Sequence, residues 1–153
     1  MQGRAGSKLN GGVDVMTISI SDVLDATLNH VASYTYADVT LGTPVETEPG
    51  LYIFTYQFME DAQQRVAPGR GANTKQPNGY RLSCLLMANP AYDYTALDEG
   101  LKCLTERPVL SVHDSKITAT LSTLSIEQLS QIFTSAAISL RLAIPFELRW
   151  TEA

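Results

Sequence analysis

The chain has 153 residues, 44% of them apolar and 18% charged, and its eleven basic and sixteen acidic side chains give a net charge of −5. This length and composition are typical of one globular domain with a substantial core. The negative charge argues against general binding to nucleic acid or anionic membranes, and no apolar run is long enough to span a bilayer or form a signal peptide. We therefore expect a soluble protein made in the cytoplasm.

The chain divides into a short arm and one domain. Residues 1–17 are rich in glycine and small polar residues and lack periodicity, which predicts a flexible N-terminal arm. Residues 18–153 form the predicted domain. Its first helix begins after Ser19 or Ser21, either of which can act as N-cap. The apolar residues of this helix recur at helical spacing: Ile20, Val23, Leu24, Leu28 and Val31.

Three strands follow this helix. A short one is predicted over Asp38–Leu41, and Leu51–Phe58 alternates aromatic side chains with others, which is typical of a strand. Tyr80–Met87 is the third, and its apolar residues fall on both sides, which predicts that both faces are covered.

A long loop separates the second and third strands. It contains two prolines, two glycines and almost no large apolar residue. The stretch 61–81 has one acid, Asp61, against four cations, Arg65, Arg70, Lys75 and Arg81, and therefore a net charge of +3. A loop of this length in a small domain is typical of either a solvated, mobile segment or a binding segment, and the sequence leaves both readings open.

The second half of the domain alternates helices and strands. Thr95 can cap a helix that carries Leu97, Leu101 and Leu104 on one face, and Pro108 ends it. Two short strands, Val109–Val112 and Ile117–Leu121, flank a polar turn. Ser125 and Gln128 then form a predicted capping box, with Leu124 and Leu129 placed as a hydrophobic staple. The inward residues of this third helix are Leu129, Ile132, Phe133 and Ala136.

The last element is predicted to be a long strand, Ile138–Trp150, because every second residue in it is apolar. At about 3.3 Å per residue it would reach roughly 40 Å, longer than most strands of a compact domain. Pro145 has no N–H to donate, which favours an edge strand or a bulge. The strand could be an ordinary core strand, but its length and the position of Trp150 near the chain end favour an edge that pairs with another chain. The order of elements predicts an α+β fold with a mostly antiparallel sheet and helices packed on one side.

Catalytic constellations are not evident in the sequence. His30 and His113 have no partner at a spacing that indicates a triad or a metal site, and Cys84 and Cys103 lie in apolar stretches as expected for reduced core thiols. We therefore expect no catalytic, metal or cofactor residues. The alternative is a small ligand-binding or enzymatic domain whose pocket is lined by aromatics, although core packing explains these more simply. The aromatics concerned are Tyr52, Phe54, Tyr56, Tyr92 and Tyr94.

Three stretches together resemble a known family: PGLYIFTYQF, YRLSCLLMANPAYDYTALDEGLKCLTERPVL and LSIEQLSQIFTSAAISLRLAIPFELRW. They are similar to the N-terminal domain of tube-cap proteins from extracellular contractile injection systems, as in the antifeeding prophage and the Photorhabdus virulence cassettes. The resemblance covers Ile18 to Trp150. Its motifs are structural, so they indicate a fold and an assembly role and name no catalytic residue.

The resemblance implies a protein similar to a phage tail terminator. Such a protein forms a ring, hexameric in the family, at the end of the inner tube, stops tube polymerisation and engages the last sheath ring. The expected partners are other copies of the chain, the inner tube protein and the sheath protein, without nucleic acid or membrane. The particle is assembled in the cytoplasm.

Two sets of charged residues are candidate interface residues for this role. Arg65, Arg70 and Lys75 in the basic loop are expected to contact a neighbouring subunit or an acidic tube rim. Arg141, Glu147 and Arg149 lie on the polar side of the predicted C-terminal strand and are expected to be subunit contacts.

Overall fold

The structure is a computed structural model that describes residues 18–60 and 79–151. The predicted arm, 1–17, and the loop cations Arg65, Arg70 and Lys75 lie outside the described residues. Within the described ranges the chain forms three helices and six strands. In chain order these are α1 (Ile20–Ala32), β1 (Val39–Leu41), β2 (Gly50–Glu60), β3 (Gly79–Asn89), α2 (Tyr94–Glu106), β4 (Val109–Val112), β5 (Ser115–Leu121), α3 (Ile126–Ser135) and β6 (Ala143–Thr151).

The six strands form one sheet in the order β1-β2-β3-β6-β5-β4. Every pairing is antiparallel except that of β1 with β2, which is parallel. The predicted α+β fold with a mostly antiparallel sheet is therefore confirmed. In the described part of the chain the two edges are the shortest strands, β1 with three residues and β4 with four.

Two helices, α1 and α2, pack on one face of the sheet, called here the front face, which carries Leu82, Cys84 and Leu86 of β3. The helices approach the sheet closely at Gly100 of α2, where a Cβ atom would lie 2.6 Å from Leu86 Cδ2. The core on this face also takes buried side chains from both helices and from β6. These are Val23, Val31, Leu97, Leu104, Phe146, Leu148 and Trp150.

The third helix, α3, lies on the opposite face of the sheet, called here the back face. The prediction that all helices pack on one side is therefore wrong. Phe133 of α3 and Ile138 pack with Leu85 and Met87 of β3 in a separate buried cluster. Successive side chains of a strand point to opposite faces, and both sets of β3 side chains are apolar. The central strand therefore needs a cover on each face, and α3 supplies the second one.

The prediction that the C-terminal strand is a sheet edge is wrong. β6 lies between β3 and β5 and forms backbone ladders with both. The polar side of β6, which carries Glu147 and Arg149, lies on the part of the back face that α3 leaves open. Alternating apolar and polar residues indicate that one face of a strand is exposed to solvent. They do not indicate whether the strand has hydrogen-bonded neighbours on both sides.

Pro145 fits this central position because of where β5 ends. The last β5–β6 pair is Leu121 with Phe146, and the next contact is a hydrogen bond from the Ser122 N–H to the Pro145 C=O at 3.0 Å. In an antiparallel strand the N and C=O of one residue point to the same side. The missing N–H of Pro145 therefore faces the place where β5 has already left the ladder.

β6 is also shorter than predicted, because the chain turns after α3. Ala137 has φ 58°, and the N–H groups of Ala137 and Ile138 donate to Thr134 and Phe133. This is the Schellman pattern that ends many helices. It buries Ile138 under α3, while Leu140 is 84% exposed. The apolar alternation of residues 138–142 therefore does not correspond to strand burial.

Local capping positions the helices largely as predicted. Ser19 caps α1, and Ser125 and Gln128 form the complete capping box of α3. The cap predicted for α2 is wrong: Asp93, not Thr95, accepts from the Ala96 N–H at 3.2 Å. A carboxylate is a strong N-cap acceptor, and it leaves Thr95 in the first helical turn.

Candidate functional site

The described residues hold no group of three or more His, Cys, Asp or Glu side chains that could bind a metal. His30 Nε2 lies 2.7 Å from the carbonyl oxygen of Arg107, and His113 lies 3.5 Å from Asp22. Both cysteines are free and buried, and burial raises the pKa of Cys84 to about 12 and that of Cys103 to about 11. Neither thiol is therefore in the thiolate form that a nucleophile or metal ligand requires.

A groove of about 870 Å³ is lined on one side by α3 and on the other by the back face of the sheet. The sheet contributes Phe54, Tyr56 and Ser83 to it, and α3 contributes Gln128 and Gln131. Loss of solvent raises the pKa of Tyr56, so its phenol remains protonated across the physiological range. Most of the described lining residues are uncharged, and the one carboxylate among them, that of Glu147, pairs with Arg81 and Arg149.

The aromatic residues of the alternative hypothesis do not form one pocket. Tyr52 is buried in the sheet, where its hydroxyl donates to the carbonyl oxygen of Glu48. Phe54 and Tyr56 line the groove on the back face. Tyr92 and Tyr94 lie elsewhere, at the start of α2, and their side chains are 72% and 61% exposed.

Two of the predicted interface residues, Glu147 and Arg149, lie with Arg81 on the open part of the back face. We call these three residues the charge triad. Glu147 Oε1 accepts from Arg149 Nη2 at 2.9 Å and from Arg149 Nε at 3.3 Å, and Glu147 Oε2 lies 3.6 Å from Arg81 Nη1. Arg81 and Arg149 are direct cross-strand partners. The carboxylate therefore offsets the repulsion between two neighbouring cations.

The third residue of that set, Arg141, lies apart from the triad. Arg141 Nη1 donates to the carbonyl oxygen of Ala88 at 2.8 Å, and Arg141 Nη2 donates to Ser139 Oγ at 2.7 Å. The guanidinium therefore ties the turn after α3 to the end of β3. The structure does not bring Arg141 together with Glu147 and Arg149 in one site.

An aromatic cluster lies at the end of the sheet that borders residues 61–78. Phe58 stacks on Tyr80 with ring centroids 5.6 Å apart, and Trp150 packs against both rings. Phe58 is nevertheless 47% exposed. The strand alternation places these aromatics on β2, β3 and β6, but only the register of the ladders shows that they meet.

The sequence missed a second surface, at the opposite end of β2. The Tyr36 hydroxyl lies 3.4 Å from both carboxylate oxygens of Asp93, the residue between Tyr92 and Tyr94 in the sequence. Loss of solvent, and then the negative charges of Asp93 and Glu99, raise the pKa of Tyr36. The cluster of aromatics at 92 and 94 was the only sequence signal for this surface.

None of the helices within the described ranges is long and apolar enough to cross a membrane. Four surfaces of the described residues could contact a partner: the groove, the charge triad, the aromatic cluster and the tyrosines around Asp93.

Comparison with known proteins gives one family and two informative structures. The profile of a family described as the Pvc16 N-terminal domain matches residues 16–152. This match confirms the resemblance that the three sequence stretches indicate. No curated protein matches the chain.

The first of the two structures is the sheath/tube terminator of PVC, an extracellular contractile injection system, in its extended state. The TM-score is 0.66 at 17% identity, over 89% of this chain and 57% of that one. The second is the tube-terminating cap of the anti-feeding prophage, with a TM-score of 0.69 at 16% identity, over 88% of this chain and 55% of that one. The shared feature is the fold, and the chain spans little more than half the length of each relative.

Proposed function

Because the chain belongs to the Pvc16 N-terminal domain family, we propose that it is a structural cap protein of a contractile injection system or phage-like tail. It forms a ring of six subunits at the end of the inner tube, stops tube polymerisation and contacts the terminal sheath ring. The observation that carries this proposal is the shared fold with two tube terminators over nearly nine tenths of the chain. The protein acts as an assembly component and not as an enzyme.

The two sheet edges support a terminating role. A ring that ends a stacked polymer must bind the tube on one side without offering a template for another tube ring. Exposed backbone edges are such templates, and short edge strands limit pairing with further chains. In the described sheet the edges are three and four residues long, and the long strand β6 is enclosed between neighbours.

The basic loop supplies the proposed contact with a neighbouring subunit or an acidic tube rim. Its cations Arg65, Arg70 and Lys75 are positively charged, whereas the chain as a whole has a net charge of −5. Complementary charge steers association and sets the orientation of partners. Reversing all three charges should abolish capping, and tubes of normal length in the presence of this variant would contradict the role.

Glu147, Arg149 and Arg141 are proposed as further subunit contacts. Glu147 and Arg149 lie on the part of the back face that α3 leaves open, and Arg141 lies at the end of β3. A variant with all three changed to alanine should lose oligomerisation. Circular dichroism must show that this variant is folded, because two of the changes also dismantle the charge triad. Wild-type oligomerisation of the folded variant would contradict these contacts.

Assembly of the full-length chain tests the proposed function. The protein assembles in the cytoplasm and then becomes part of the particle. Its partners are other copies of the chain, the inner tube protein and the sheath protein. Size-exclusion chromatography with light scattering should show a ring, alone or with tube protein. A strictly monomeric protein that never forms rings, even with tube protein present, would overturn the proposal.

A further inference from the structure

Three tyrosines are exposed around one aspartate where α2 begins. Tyr36, Tyr92 and Tyr94 are 71%, 72% and 61% exposed, and the hydroxyl of Tyr36 reaches the carboxylate of Asp93. We call these three residues the tyrosine patch. Monomer surfaces seldom expose aromatics in such a group, and tyrosine is enriched at the cores of protein interfaces.

The segment that carries Tyr36 is held firmly on its neighbours. The Thr35 hydroxyl donates to Glu99 Oε1 of α2 at 2.6 Å, and the Ala37 N–H donates to Thr35 Oγ1 at 3.0 Å. On the sheet side the Leu51 N–H donates to the carbonyl oxygen of Asp38 at 2.8 Å. Because the backbone is already ordered, a partner that binds here does not have to offset the entropy of ordering it.

A small pocket of about 220 Å³ opens beside the patch. Tyr36, Asp38 and Asp93 form its walls, and Pro49 and Gly50 complete it. Gly50 is required at this place, since its φ is 147° and a Cβ atom would collide with the carbonyl oxygen of Asp38. The pocket therefore presents two carboxylates and one aromatic ring to a ligand.

The two stretches of the chain that form the pocket are acidic. The stretches 34–52 and 89–101 contain no lysine, arginine or histidine. Their acidic residues are Asp38, Glu46, Glu48, Asp93, Asp98 and Glu99. The partner that fits this surface is cationic, because its positive charge meets carboxylates that no basic residue of the two stretches neutralises.

We infer that the tyrosine patch and its pocket receive arginine and lysine side chains of the basic stretch 65–75 of a second copy of this chain. A guanidinium can form two parallel hydrogen bonds with one carboxylate and can stack on a tyrosine ring at the same time. The inference rests on the proposed ring, and it names the two surfaces that close it.

A second copy is the occupant because the pocket lies at one end of β2 and the basic stretch follows the other end of β2 in the sequence. The pocket adjoins Gly50 at the start of β2, and the basic stretch follows Glu60 at the end of β2. Ten residue steps of strand separate these ends by roughly 33 Å. Two different, complementary surfaces on one subunit make a head-to-tail interface, which closes into a ring when the rotation between subunits allows it.

Two full-length variants test this pairing. The patch variant is Tyr36→Ala with Asp38→Lys, and the loop variant is Arg65→Glu, Arg70→Glu and Lys75→Glu. Each variant alone should be monomeric in light scattering, whereas an equimolar mixture should give a heterodimer of twice the monomer mass. The mixture restores one functional interface per pair and therefore cannot close a ring. Asp114→Lys makes the same charge change in the turn between β4 and β5 and should leave the wild-type assembly intact.

Each outcome decides the inference. Wild-type assembly of the patch variant overturns the patch as an interface. If the patch variant loses assembly but the loop variant still forms normal rings, the basic stretch is not the occupant of the tyrosine patch. If the patch variant does not fold, Tyr92→Ala with Tyr94→Ala makes the same test at exposed positions. A monomeric wild-type protein would count against the ring itself, and this is measured separately.

Discussion

Replacing Glu147 by glutamine tests how the open back face of the sheet is held together. The side chain keeps its shape but loses the charge that lies between two arginines. Its Oε1 is 2.9 Å from Arg149 Nη2, and its Oε2 is 3.6 Å from Arg81 Nη1. Because Arg81 and Arg149 face each other across the β3–β6 ladder, the substitution leaves two like charges opposed.

The exposure of the triad determines the size of the effect. The side chains of Glu147, Arg81 and Arg149 are 19%, 25% and 37% exposed. Buried hydrogen bonds to a charged group contribute about 1.5–3 kcal/mol, and fully exposed ion pairs about 0–1 kcal/mol. For this intermediate case we expect Glu147→Gln to lower the free energy of unfolding by about 1–2 kcal/mol. In a domain of this size that corresponds to a fall in Tm of roughly 2–8 °C.

Urea unfolding followed by the fluorescence of Trp150 measures this loss. Trp150 is the single tryptophan of the sequence, and it is 5% exposed. The protein concentration is chosen so that the midpoint does not depend on it. Glu46→Gln, at an exposed loop position, is the matched control and should change stability by less than about 0.5 kcal/mol. A loss below about 0.3 kcal/mol for Glu147→Gln would refute the role of the triad.

Two substitutions test the start and the end of α3 by the same unfolding assay, and thiol labelling and the pH dependence of stability test the burial of the two cysteines. Ser125→Ala removes a capping-box acceptor and should cost about 1 kcal/mol, whereas Ser130→Ala, in the exposed middle of the helix, should not destabilise. Ala137→Gly relieves the positive φ at the helix end and should add about 0.5–1 kcal/mol; a loss would contradict the Schellman geometry. Cys84 and Cys103 should resist thiol reagents at pH 8 until urea unfolds the chain, and rapid labelling of the native protein would contradict their burial. Since burial raises their pKa values from 9.0 to about 12 and 11, unfolded thiols ionise first, and stability should fall as the pH rises above about 9.

Local signals in the sequence were sufficient for most elements of the fold. Ser19 and the capping box at Ser125 determine where α1 and α3 begin, since both use contacts within one helical turn. The apolar residues on both sides of β3 correctly predicted a strand covered on two faces. These signals depend on neighbours in sequence, which is why they can be read without the structure.

The sequence could not indicate the strand order or the side of the sheet that each helix covers. β6 pairs with β3, whose residues lie about sixty positions earlier, and periodicity carries no information about such distant partners. The alternation in residues 138–142 was misleading because Leu140 is exposed where the chain turns after α3. Burial at those positions depends on the turn and not on the pattern.

The candidate surfaces were only partly predictable for the same reason. Glu147 and Arg149 were identified as charged residues of one strand, but Arg81 joins them from β3 through the ladder register. Tyr36 meets Asp93 across 57 positions of sequence, so the tyrosine patch exists only in the folded chain. The sequence singles out Tyr92 and Tyr94 only within the alternative pocket hypothesis, with core packing as the simpler explanation, whereas in the structure both side chains are exposed at the start of α2.

The length of tubes assembled with and without this protein tests the central claim most directly. Electron microscopy of tube protein polymerised with increasing amounts of the full chain should show shorter, capped tubes, with a ring at one end. The loop variant with Arg65, Arg70 and Lys75 changed to glutamate should leave tubes as long as those without cap. Tubes whose length is unregulated both with and without the wild-type chain would contradict a terminating function.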